Sequence, residues 1–100
     1  MTGFVDISIV LKPAIYLLWR NGKVVYVGQS RCPLIRLATH RSLAGRRPLP
    51  WMKSVGIKFD QVSILPTALD DLDLVEKHWI KFFAPIHNKR HVPPRKLKLD

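Results

Sequence analysis

The sequence holds a single cysteine, few acidic residues and no long apolar run. One thiol, Cys32, excludes an internal disulfide and most zinc sites. No apolar stretch approaches the ~20 residues of a membrane-spanning helix, so no membrane partner is expected. Residues 1–11 carry Asp6 and no basic side chain, unlike a secretory signal or a transit peptide. Cytoplasmic residence is the expectation. Acidic residues number 7 against 17 Lys and Arg, which leaves a formal charge of +10. That imbalance favours a polyanionic partner.

What is present fits one domain over residues 1–100, since 100 residues leave little room for two. With 47% hydrophobic residues the chain can form a modest core, expected over about residues 13–89, with a flexible basic tail at 90–100. The acidic residues are concentrated: Asp60, Asp70, Asp71, Asp73 and Glu76 share one short stretch of an otherwise cationic chain. A solvated basic surface explains the charge equally well, so charge alone does not assign a function.

Ala14 to Trp19 and Val24 to Val27 read as β-strands joined around Asn21-Gly22, a strong hairpin signal. Pro13 suits the entry to the first strand, and Gly28 is expected to close the second. Pro33 suits the first turn of a helix running to about Leu43 or Ala44, stopped by Gly45. Phe59 to Leu65 alternates as a third strand ending at Pro66. Thr67 and Asp70 look like an N-cap pair for a second helix that runs to Ala84 and is stopped by Pro85. The order strand, strand, helix, strand, helix predicts an α/β domain of the α+β type: a small, mostly antiparallel, three-stranded sheet flanked by helices.

Several side chains point to chemistry. Glu76 falls among Leu72, Val75, Trp79, Ile80 and Phe83 on one helix face, where a carboxylate is costly unless a metal ion or an arginine meets it. Arg36 and His40, at i and i+4, meet on one face of the first helix; guanidinium suits phosphate oxygens and imidazole transfers protons near neutral pH. Tyr16 and Tyr26 depend on the hairpin. A two-residue turn sets Leu17 opposite Tyr26 and puts the tyrosines on opposite faces; a three-residue loop makes them cross-strand partners. Both geometries are open to the sequence.

Taken together, these residues resemble the GIY-YIG nuclease superfamily. Ala14-Ile15-Tyr16 stands at the first motif and Tyr26-Val27-Gly28 at the second. Arg36 and His40 match the helix-borne arginine and the His-or-Tyr position, Glu76 the metal-binding glutamate, and Pro85 to Asn88 the closing Pro-x-x-Asn segment. Ala14 replaces the first glycine of the motif, and Gln29 stands where many members carry lysine. The resemblance implies a DNA endonuclease that hydrolyses phosphodiester bonds with one metal ion. Glu76 would hold Mg²⁺, with Mn²⁺ able to substitute. Arg36 would neutralise a non-bridging oxygen, and Tyr16 or Tyr26 would deprotonate water with His40 accepting or relaying the proton. Gly28, Gln29, Arg41, Arg46, Arg47, Asn88, Lys89 and Arg90 are the expected nucleic-acid contacts, with Asn88 orienting a phosphate or a backbone segment. The rival is a non-catalytic nucleic-acid-binding domain that keeps the fold. The choice between duplex, branched and single-stranded DNA, and the oligomeric state, are not encoded in any of these motifs.

Overall fold

The computed structural model describes residues 3–44 and 56–88. Its strands are β1 (Ala14–Arg20), β2 (Lys23–Ser30) and β3 (Gln61–Pro66), and its helices are α1 (Pro33–Leu43) and α2 (Leu72–Phe83). Short 3-10 turns at Ser8–Leu11 and Leu69–Asp71 precede β1 and α2. The sheet has the order β2-β1-β3 with both pairings antiparallel. Among the described residues, no helix is long and apolar enough to cross a membrane.

β1 is central, which explains its almost unbroken apolar run: a strand covered on both faces has no solvent side to make polar. Ile15 and Val27 face α2, where Leu72 and Ile80 are buried and Val75, Trp79 and Phe83 pack around them. Tyr16 and Leu18 face the other way, onto Leu37 of α1 and the segment with Ile57 and Phe59. The two helices therefore cover opposite faces of one sheet.

The hairpin combines features of the two geometries the sequence allows. Arg20 pairs with Lys23 across a two-residue turn, and Asn21 (φ 51°) and Gly22 (φ 77°) both take positive φ, as a type I′ turn requires. Two residues along, the register slips: Trp19 opposes Val24 but Leu18 opposes Tyr26, leaving Val25 as a bulge. Tyr26 thereby moves to the face of Tyr16 without a three-residue loop.

Two boundaries also differ from expectation. β2 runs through Gly28 to Ser30 instead of closing at the glycine. Thr67 does not cap α2; its hydroxyl donates to the carbonyl of Leu65, and α2 starts after the 3-10 turn with Asp71 before it. α2 ends at Ala84, a left-handed residue (φ 44°) ahead of Pro85. Gly45 and the tail at 90–100 lie outside the described residues.

After α2 the chain returns along β2, an edge strand that would otherwise offer its backbone to another chain. The N–H of His87 donates to the carbonyl of Val25 (3.0 Å). Asn88 then treats Val27 as a strand neighbour would: its Oδ1 accepts from the Val27 N–H and its Nδ2 donates to the Val27 carbonyl, each at 2.8 Å. Because Val27 is fully buried, Asn88→Ala leaves two backbone groups without partners. It is expected to lower stability by about 1–3 kcal/mol in urea denaturation.

Candidate active site

Tyr16 lies at the middle of β1, directly opposite Gly28 on β2. Its ring lies where a side chain at position 28 would be: a Cβ built on Gly28 overlaps the Tyr16 ring. Gly28 is itself buried, and its lack of a Cβ makes room for the tyrosine. The bulge at Val25 sets Tyr26 beside Tyr16, with ring centroids 6.1 Å apart.

α1 completes the cluster from above the same face. His40 is 3% exposed, its ring edge-on to Tyr26 at 5.2 Å, and its Nε2 lies 2.9 Å from the Tyr16 hydroxyl oxygen. Arg36, one turn earlier, lies close enough to both tyrosines for its charge to act on them. The i, i+4 spacing read from sequence thus aims both side chains at one pair of phenols.

The electrostatics follow from burial. Burial pushes Tyr16 well above the usual tyrosine range; Tyr26 and the charge of Glu76 push the same way, against the pull of Arg36. His40 is lowered to about 4, first by burial and then by the Arg36 charge. Burial works against the charge of Arg36, but the two tyrosines outweigh it and hold its pKa above the usual value. At neutral pH the pair is a neutral tyrosine and a neutral imidazole beside a permanent cation.

Nδ1 of His40 is buried and has no hydrogen-bond partner among the described residues. Nε2 and the Tyr16 oxygen share one hydrogen bond, and the imidazole tautomer sets which of them donates. Burial and the Arg36 charge keep the ring neutral, so His40 meets Tyr16 as a neutral imidazole.

Glu76 is half-buried at the margin of the apolar face of α2, and its charge reaches Tyr16. The amide nitrogen of Gln29 bridges two carboxylates, donating to Asp73 Oδ1 (2.6 Å) and Glu76 Oε1 (3.1 Å). Gln29 so binds protein carboxylates through its nitrogen, where a contact with nucleic acid was expected. The Asp73 signal was visible in the sequence as a second acid one helical turn before Glu76, but nothing linked it to Gln29. Asn88 is likewise committed, through both polar atoms, to a backbone segment. Arg41 is exposed on α1. Arg46, Arg47, Lys89 and Arg90 lie outside the described residues.

A resident metal has a restricted donor set here. Among the described residues no three His, Cys, Asp or Glu side chains cluster as a ligand cage. A single carboxylate with one oxygen held by an amide fits a hard cation that keeps most of its waters, as Mg²⁺ does.

No family model and no curated protein matches the chain. Solved structures do. The GIY-YIG N-terminal endonuclease domain of UvrC from Thermotoga maritima, bound to magnesium as its catalytic divalent cation, superposes with a TM-score of 0.61 at 19% identity, over 82% of this chain and 92% of that one. A point mutant of that domain bound to its catalytic divalent cation gives 0.62 at 19%, over 83% and 92%. A second mutant gives 0.61 at 20%, over 86% and 100%. The fold is that of a GIY-YIG domain. The three antiparallel strands and two helices of this chain are therefore the GIY-YIG arrangement, with Tyr16 and Tyr26 on its paired strands.

The depressed pKa of His40 fixes a sign for stability against pH. Between about 6.5, the ordinary histidine value, and about 4, the unfolded chain binds a proton that the folded chain refuses. Stability is expected to fall as pH drops through that window, and less steeply in His40→Gln. Urea midpoints measured across the window for both proteins check this; parallel curves would remove His40 as the cause.

Proposed function

We propose that this chain is a metal-dependent DNA endonuclease. The observation that carries the reading is the convergence of Tyr16, Tyr26, Arg36 and His40 on one sheet face, with the Glu76 charge acting on Tyr16. A binding surface has no need to bury a tyrosine and histidine pair beneath a guanidinium; proton transfer beside a phosphate does.

Arg36 is the group that meets the phosphodiester, offering a planar fork of donors to a non-bridging oxygen and offsetting the charge that builds up there. Tyr16 is the candidate base for the attacking water. Its oxygen shares a hydrogen bond with Nε2 of His40 and lies near Arg36, whose charge favours the phenolate against the burial that raises its pKa. Tyr26 packs against both rings and positions them. Gln29 holds one oxygen of Glu76, and among the described residues the other has no hydrogen-bond partner, so Glu76 is the residue that would hold Mg²⁺ or Mn²⁺. When bound, the cation supplies positive charge that offsets Glu76 and stabilises the departing oxygen.

Two substitutions separate an enzyme from a binder on a panel of single-stranded, duplex, flap and four-way DNA. Glu76→Gln is expected to abolish Mg²⁺-dependent cleavage and leave DNA binding intact or slightly tighter, since one negative charge is gone. Arg36→Ala is expected to lose cleavage and part of the affinity, because its cation also meets the ground-state phosphate. If the wild type cuts nothing with Mg²⁺ or Mn²⁺ and both variants bind DNA as it does, the chain is a non-catalytic nucleic-acid-binding domain.

A further inference from the structure

Away from the tyrosines, three cations from distant parts of the chain line one cleft of about 500 Å³: Arg20 at the end of β1, Arg41 in the last turn of α1, and Lys58 ahead of β3. All three are exposed. One acid shares the cleft, Asp60, and its Oδ2 accepts the N–H of Asn21 at the hairpin turn (3.1 Å). Three cations against one carboxylate leave a net charge of +2. The wall between them is Phe59, whose ring packs into the core beneath Tyr16 and Leu18.

We infer that this cleft holds a backbone phosphate of the same DNA strand or its partner, several nucleotides from the bond that is cut. For the identity of the partner the inference rests on the endonuclease reading. The cleft and the reaction centre share two elements and one face of the sheet. Arg20 lies four residues beyond Tyr16 on β1, ~13 Å along an extended strand. Arg41 lies five residues beyond Arg36 on α1, ~7.5 Å along the helix axis. At ~3.4 Å of rise per nucleotide, the strand distance corresponds to about four steps of duplex. A DNA backbone that meets Arg36 and continues in the direction of β1 comes within reach of Arg20, Arg41 and Lys58.

The chemistry of the lining suits a phosphate and a sugar. Guanidinium and ammonium groups supply charge, and the Phe59 ring supplies an apolar wall. Contacts of this kind fix register and orientation without reading sequence. The hairpin turn, which brings Arg20 to Asp60 and Lys58, is then part of the substrate surface as well as the connection that aligns the tyrosines.

The test measures duplex binding in EDTA, where no metal-dependent cutting occurs, across a series of salt concentrations. The double variant Arg20→Ala, Lys58→Ala is expected to bind more weakly, with the dependence of log K on log salt shallower by about one to two ions. A control variant of equal charge loss, Lys77→Ala with Lys81→Ala, alters two exposed positions on α2, which packs on the opposite face of the sheet, and is expected to change the slope less. A slope equal to the wild type, or equal losses in both double variants, would overturn the inference. Cleavage by the wild type with Mg²⁺ is measured in parallel. If the wild type cuts DNA and the slope is unchanged, the cleft alone is refuted. If it cuts nothing while the slope falls, the endonuclease reading fails and the cleft stands as a DNA-binding surface.

Discussion

Between Trp19 and Leu18, β2 supplies one more residue than β1 opposite it, and the face taken by Tyr26 and by the β2 residues beyond it follows from that surplus. Side chains alternate across a strand, so a slip of one residue exchanges the faces of everything beyond it. Without the bulge at Val25, Tyr26 would point toward α2, into the apolar packing around Ile15 and Val27. With it, Tyr26 joins Tyr16 under α1, and Val24 and Val25 serve opposite faces of the sheet. A tight I′ turn and a bulge together do what a longer loop could have done, at a point set back from the exposed tip.

Once both tyrosines share a face, sterics and burial set the rest. Tyr16 can lie flat only because position 28 has no Cβ, and β2 can keep its line there because Asn88 and His87 hold its outer edge. Closing α1 over the phenols buries His40 and removes its tendency to charge, and the permanent charge acting on both phenols is that of Arg36. Glu76 belongs to the helix on the other sheet face, and its half-buried carboxylate is held at the edge of β2 by Gln29. The site is therefore an arrangement around the β2 edge, with its guanidinium and imidazole on α1 and its acid on α2.

Much of this was legible in the residues themselves. The apolar run of β1, the Asn21-Gly22 turn, Pro33 at the start of α1 and the apolar periodicity of α2 are local signals, and local backbone sterics and periodicity are sufficient to locate the elements they mark. The i, i+4 spacing of Arg36 and His40 set them on one face because helix geometry does not depend on context. Glu76 was conspicuous because a carboxylate on an apolar stripe needs a partner. The start of α2 was placed less well, since the Thr67 hydroxyl donates to the nearby Leu65 carbonyl and caps no helix N–H.

The chain by itself thus determined its elements, its charge and the identity of the polar groups that would need company, because propensity, turn chemistry and side-chain periodicity act over a few residues. Which of those groups meet was decided only in the tertiary structure. The pairing of Gln29 with Asp73 and Glu76, of Asn88 with Val27, and of Arg20 with Arg41 and Lys58 joins residues separated by 21 to 61 positions in sequence. No local rule reaches that far. The bulge shows the same limit at short range: the hairpin dipeptide specifies the turn, but the extra residue in β2 is selected by the two packed faces, which must bury Val24 on one side and Tyr26 on the other.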